Sequence, residues 1–243
     1  MSGRASVVTV LRADPPTVHG GGQHYFGLEW PTLEWLEGVL TPDMRTLETG
    51  SGGSTIVFAG AGCQHVAISP DADEHERVRV WCAAHGISTE HVSFLAQPSD
   101  QALMETWTPL EPFDLVLLDG AHSFPFPTLD WYLTATHLRV GGRVVLDDAF
   151  LPSVNVVVRF MFGSPSWLRE PLPGYRAVCF RKLDHRVVYD WVGGRFDRRP
   201  RFNYLPLQRR LIAGARHRVL DRHPAILRAG TRRALVARKI RRR

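Results

Sequence analysis

Three carboxylates and a histidine stand at the ends of two apolar runs, Leu117-Leu118-Asp119-Gly120-Ala121-His122 and Leu146-Asp147-Asp148. A third run leads into an acid and a glycine-rich turn, Leu47-Glu48-Thr49-Gly50-Ser51-Gly52-Gly53-Ser54. Polar groups just beyond buried strands are where an open α/β sheet binds ligands, so these residues are expected around one crevice. Neighbouring carboxylates repel one another unless something positive lies between them. A hard divalent cation with oxygen ligands, Mg²⁺ before Ca²⁺, would meet that need at Asp119, Asp147 and Asp148. The plainer alternative is that one of the acids caps a helix or orients a loop and no metal binds. His122 could act as general base on a substrate hydroxyl, line a ligand pocket, or be an ordinary hydrogen-bonded loop histidine.

The glycine-rich turn carries a different chemistry. Gly50 and Gly52 let a ligand approach the backbone, and Ser54 lies in the first turn of a helix whose free N–H groups point outward. Glu48 suits a ligand with an ammonium group and hydroxyls, such as the amino-acid end of S-adenosylmethionine, better than a pyrophosphate. Glu48, Gly50, Gly52, Ser54 and Asp119 are therefore expected cofactor contacts. His19 and His24 lie in a Gly-rich loop over 14–29 that could fold over the cleft as a lid, and Asp130 is either turned to the cleft or exposed on its helix.

Positioning these groups requires alternating strands and helices. Short apolar runs at 46–49, 65–69, 91–95, 113–119 and 142–147 read as buried strands, and the stretches near 53–60, 72–85, 99–107 and 128–138 read as helices. Another helix follows Pro31. Asp71-Ala72-Asp73-Glu74 reads as a capping box, and Gly86 closes that helix. Five βα units imply a doubly wound parallel sheet. Residues 175–182 and 186–191 are separated by only three residues, too few for a parallel crossover, and are expected to pair as an antiparallel hairpin at the sheet edge. Segments 14–29 and 150–174 read as the loops that choose the substrate.

Charge divides the chain at about residue 194. Residues 195–243 hold 17 Lys and Arg against two acids, a net +15, whereas the preceding 194 residues carry −9. Leu207, Leu211, Ala215 and Val219 fall four apart among arginines, as in an amphipathic basic helix. The chain therefore reads as a folded domain over 1–194 and a basic, partly helical tail over 195–243. Cys63, Cys82 and Cys179 are too scattered for a disulfide framework or a zinc cluster, and no signal peptide or membrane span is evident, which together point to the cytoplasm.

The set Glu48-x-Gly50-x-Gly52-x-Ser54, Asp119-Gly120-x-His122 and Gly141-Gly142…Asp147-Asp148 resembles the class I S-adenosylmethionine-dependent methyltransferases of the methyltransferase domain 24 group. His24-Tyr25-Phe26-Gly27-Leu28 and Phe124-Pro125-x-Pro127-x-x-Asp130-Trp131 are similar to a bacterial subgroup of it. The resemblance spans roughly residues 19–182. It implies a Rossmann-like, mostly parallel seven-stranded sheet ending in an antiparallel hairpin. In the related macrocin-type sugar O-methyltransferases an Asp after strand four and an Asp-Asp pair after strand five bind Mg²⁺, which implies Asp119, Asp147 and Asp148 here. Those enzymes carry a second acid where this chain has Ala121, leaving His122 as the substitute base beside Asp119. The acid that usually ends strand two and holds the ribose is replaced by Ser69, with Asp71 open to diversion into capping.

The expected reaction is methylation of a hydroxyl on a small molecule or sugar, with Mg²⁺ assistance an option. Two other readings stay open: an RNA methyltransferase whose tail tracks phosphates, and a non-catalytic module whose tail binds nucleic acid or an anionic membrane. The oligomeric state has no signature in the sequence.

Overall fold

The computed structural model describes residues 6–20, 27–105 and 112–188. His24, the end of the expected strand over 186–191, the domain boundary near 194 and the expected tail helices lie outside the described residues.

The elements run α1 (Val7–Ala13), α2 (Trp30–Val39), β1 (Arg45–Thr49), α3 (Gly53–Ala61), β2 (Gln64–Ile68), α4 (Ala72–Ala84), β3 (Val92–Leu95), α5 (Ser99–Glu105), β4 (Phe113–Leu118), α6 (Phe126–Thr136), β5 (Leu138–Leu146), α7 (Pro152–Gly163), β6 (Trp167–Glu170) and β7 (Val178–Lys182). They build a seven-stranded sheet of order β3-β2-β1-β4-β5-β7-β6. Strands β1 to β5 pair in parallel, and β7 is antiparallel to both β5 and β6.

Alternation along β4 divides the core between the two faces. Leu115 and Leu117 join the cluster formed with α1 to α4, where Leu11, Leu33, Leu36 and Phe58 are fully buried. Val116 and Leu118 join the other cluster, with Trp131 of α6 and Val154, Val157, Val158 and Met161 of α7. A strand covered on both faces has no polar side, which is why Phe113–Leu118 is almost continuously apolar.

The antiparallel hairpin is present, but only one of its two strands comes from the segments expected. Strand β7 lies between β5 and β6, and its hairpin partner is upstream, at Trp167–Glu170. Residues 186–188 form no strand; the Arg186 carbonyl instead accepts from Ser166 Oγ at 2.6 Å. Nor is 150–174 mainly loop. It holds α7, whose apolar residues at 154, 157, 158 and 161 mark one helical stripe, followed by β6. Residues 7–13 form a helix with Ser6 as N-cap, and Val7, Val8 and Leu11 are buried on it. Among the described residues no helix is long and apolar enough to cross a membrane.

Candidate cofactor and active site

Sheet register decides which side chains share the crevice. Thr49 pairs with Ile68 on one side and Leu118 on the other, and Leu118 pairs with Leu146. The ladder continues one residue further. Gly50 N–H donates to Ile68 O at 2.8 Å, Asp119 N–H to Thr49 O at 2.9 Å, and Asp147 N–H to Leu118 O at 3.1 Å. Ser69, Gly50, Asp119 and Asp147 thus stand in a row along the carboxyl edge. Strand order reverses between β1 and β4, and a crevice opens there. A cavity of about 570 Å³ fills it, walled by residues 50–54, 69–71 and 119–122 together with Asp147 and Asp148. That volume lies in the range of small-molecule sites.

The glycine turn is built for close approach. Gly50 has φ +98°, and a Cβ there would lie 2.4 Å from the Asp119 carbonyl oxygen. Behind the turn, Glu48 is 1% exposed and does not border the cavity. Its carboxylate accepts from Ser54 Oγ at 2.7 Å and from Thr55 Oγ1, and it faces His65 Nε2 at 3.2 Å. Thr55 Oγ1 in turn accepts the Gly52 N–H at 2.8 Å. Glu48 therefore fastens the turn to the first turn of α3, and it shapes the cavity through Ser54 and Thr55.

Asp119, His122, Asp147 and Asp148 do converge, as expected. His122 Nε2 lies 3.4 Å from Asp148 Oδ2 and 3.7 Å from Asp119 Oδ1. Asp148 adopts the left-handed conformation at φ 48°, which aspartate tolerates better than most residues. The positive charge between these acids comes from the chain itself. Arg176 donates to Asp148 Oδ1 from Nη2 at 2.6 Å and from Nε at 2.9 Å, and its Nη2 reaches Asp147 Oδ2 at 3.3 Å. The register that sets Leu146 opposite Val178 carries Arg176 opposite Asp148. Glu29, at the start of α2, fixes this loop by accepting the N–H groups of Tyr175 and Arg176, both at 2.8 Å.

This arrangement fits a divalent cation poorly. Two of the three carboxylates expected to bind it, Asp147 and Asp148, already hold the Arg176 guanidinium, and among the described residues no three His, Cys, Asp or Glu side chains are grouped to ligate a metal. The expectation of Mg²⁺ at Asp119, Asp147 and Asp148 is not supported: the repulsion that suggested a metal is offset in part by an arginine 28 residues beyond Asp148.

Electrostatics at the cluster follow from burial. Desolvation holds the Asp119 carboxyl well above the usual carboxylate range, with the charges of Asp147, Glu48 and Asp148 adding to it and Arg176 opposing it. Asp147 is raised by desolvation, against the pull of the Asp148 backbone and Arg176. Burial works against the charge on Arg176, but its hydrogen bond to Asp148 and the surrounding carboxylates outweigh that and raise its pKa.

Ser69 and Asp71 both border the cavity, but Asp71 is engaged as the N-cap of α4, accepting the Asp73 N–H at 2.8 Å. Glu74, expected to complete the capping box, points elsewhere: it accepts from Ser69 Oγ at 2.7 Å and meets His19 Nδ1 at 2.7 Å. His19 borders the cavity as well. Asp130 is neither exposed nor on the cavity wall; it is 2% exposed inside the sheet–helix layer. Sequence reasoning missed Arg176 and Glu74. Arg176 becomes legible only through the β5–β7 register, and Glu74 looked like a capping residue.

Comparison with known proteins agrees with this geometry. Residues 47–149 match a family described as a methyltransferase domain. No curated protein matches the sequence. Among solved structures, a Klebsiella pneumoniae protein provisionally assigned as an O-methyltransferase aligns with TM-score 0.59 and 18% identity, covering 76% of this chain and 92% of its own. An O-methyltransferase from Bacillus cereus, in complex with S-adenosylhomocysteine, aligns with TM-score 0.55 and 14% identity over 76% of this chain and 93% of its own. TomG of Streptomyces achromogenes, an O-methyltransferase of tomaymycin synthesis in complex with S-adenosylmethionine, aligns with TM-score 0.54 and 21% identity over 74% and 91%. Residues 47–149 thus match a methyltransferase-domain family, and the chain shares the fold of these solved methyltransferases.

Proposed function

We propose that the chain methylates a hydroxyl oxygen of a small-molecule acceptor, with S-adenosylmethionine as donor and no divalent cation. The observation that carries this reading is the placement of His122 among Asp119, Asp148 and Arg176, at the end of a cavity whose other wall is the glycine-rich turn. Bound S-adenosylmethionine supplies an electrophilic methyl group. The rest is alignment of the acceptor and removal of its proton.

The His122 imidazole would take that proton, with its buried Nε2 turned toward the carboxylates. Asp119 and Asp148 flank it, and two nearby carboxylates stabilise the imidazolium that proton transfer creates. Arg176 limits their mutual repulsion and keeps Asp148 turned toward the site. The glycine turn supplies N–H groups and close backbone approach for the donor. Three buried, free thiols suit a reducing compartment and support a cytoplasmic setting.

The test is incubation with methyl-tritiated S-adenosylmethionine, a panel of hydroxylated small molecules and bulk RNA, with excess EDTA and again with Mg²⁺. Label in the small-molecule fraction, undiminished by EDTA, is the expected result. His122→Asn should lower turnover by about 10²- to 10⁴-fold with S-adenosylhomocysteine affinity retained. Activity abolished by EDTA would overturn the cation-free mechanism. Label entering RNA would favour the second reading, for which the +15 charge of residues 195–243 is the specific support.

A further inference from the structure

One polar group on the cavity wall is left without a task by the methyl-transfer chemistry: Ser69 past the end of β2, Glu74 in the first turn of α4, and His19 in the segment before α2. Their hydrogen bonds form a chain. Ser69 Oγ donates to Glu74 Oε2 at 2.7 Å, and His19 Nδ1 meets Glu74 Oε1 at 2.7 Å. The other ring nitrogen of His19 lies 3.7 Å from where a Cβ on Gly52 would stand, so the imidazole spans from Glu74 to the glycine turn.

Glu74 is suited to more than holding these two neighbours. A carboxylate offers about four lone-pair sites, and Ser69 and His19 occupy one on each oxygen. One acceptor site per oxygen remains, which matches the paired donors of a vicinal diol. The side chain is 16% exposed, so such hydrogen bonds would form largely shielded from water. In nucleotide-binding α/β sheets the acid that holds the ribose lies about 20 residues beyond the glycine turn, a spacing met by both Asp71 and Glu74, 19 and 22 residues after Gly52. Asp71 is a weaker candidate. Its Oδ1 caps α4, its Oδ2 pairs with Arg77 at 3.3 Å, and its side chain is 47% exposed.

We infer that Glu74, from the helix, takes the two ribose hydroxyls of the nucleoside cofactor in place of an acid at the end of β2, with Ser69 and His19 holding its carboxylate in position. This rests on the S-adenosylmethionine reading above. It makes His19 part of the cofactor site, at the ribose end of the cavity.

The experiment compares calorimetric titration of S-adenosylhomocysteine and of its 2′,3′-dideoxy counterpart into the full chain and its variants. Glu74→Ala and Glu74→Gln should weaken S-adenosylhomocysteine by about 10- to 100-fold. The dideoxy ligand, already lacking the diol, should bind wild type and both variants within about twofold of one another. Glu76→Ala, on the exposed face of the same helix, serves as control, and unchanged melting temperatures confirm that the variants fold. The inference is overturned if the Glu74 variants bind S-adenosylhomocysteine like wild type, if both ligands lose the same factor, or if Asp71→Asn shows the selective loss instead. Wild type that binds neither ligand would sink the cofactor reading and this inference with it, an outcome distinct from the other three.

Discussion

At the scale of single residues, burial sets the chemistry of the acids more than their neighbours do. Asp130 is the cleanest example, because it lies outside the charged cluster. Desolvation pushes its carboxyl up to about 6, although the Ser99 and Thr49 hydroxyls favour its charged form. In the unfolded chain the same group ionises near the ordinary carboxylate value of 3.8. Between those two values the native state binds the extra proton, so stability falls as pH rises from about 4 to about 6 and stays reduced above. The full shift corresponds to about 3 kcal/mol. Asp130→Asn removes the ionisation. Urea unfolding should show the variant more stable than wild type at pH 7.5 by about 1–3 kcal/mol, with the difference shrinking or reversing at pH 4.5. A difference that does not change with pH would show that Asp130 ionises normally in the folded protein.

At the scale of elements, one contact joins the N-terminal helix to the site. Helix α3 carries the end of the glycine turn, and α1 packs on it where Gly60 meets Val7. A Cβ at Gly60 would lie 2.4 Å from Val7 Cγ2 and 3.3 Å from Val7 Cβ. Alanine inside a helix gains about 1 kcal/mol over glycine, but Val7 is buried, β-branched and stiff, so it cannot swing aside. Overpacking costs of about 1–3 kcal/mol should dominate. Gly60→Ala is therefore expected to lower the urea midpoint, and Gly60→Ala with Val7→Ala to recover part of the loss. A single variant more stable than wild type would mean that α1 yields freely.

These elements also show what the sequence made legible. Strands β4 and β5 could be read because each ends in an apolar run followed by Asp, and burial on both faces leaves a pattern that needs no partner. Arg176 could not be read that way. Its position opposite Asp148 depends on the β5–β7 register, and register is a property of two segments 30 residues apart. Glu74 was hidden by a local rule: an acid three residues after an N-cap reads as a capping partner, and only Ser69 and His19 draw it to the cavity. Helix α7 was legible in principle, since Val154, Val157, Val158 and Met161 keep helical spacing, but exposed Val156 and Phe162 blur the stripe.

At the scale of the whole molecule the charge distribution, rather than the fold, is unusual. A segment of 49 residues with net +15 follows 194 residues with net −9. Such a segment attracts polyanions through counterion release, which has a quantitative signature: affinity falls as a power of salt concentration. If residues 195–243 engage RNA, filter binding of the full chain to bulk RNA should weaken by about 10³-fold or more between 50 and 200 mM salt when six or more phosphates are contacted. Affinity for S-adenosylhomocysteine, held by hydrogen bonds inside a half-enclosed cavity, should scarcely change over the same range. The two slopes separate the roles. A steep RNA slope beside a flat cofactor slope assigns the tail to polyanion binding and the cavity to catalysis, and anionic vesicles at the same salts distinguish a membrane from nucleic acid. No retention of RNA or vesicles at 50 mM salt would remove both partners and leave the tail a solvated extension.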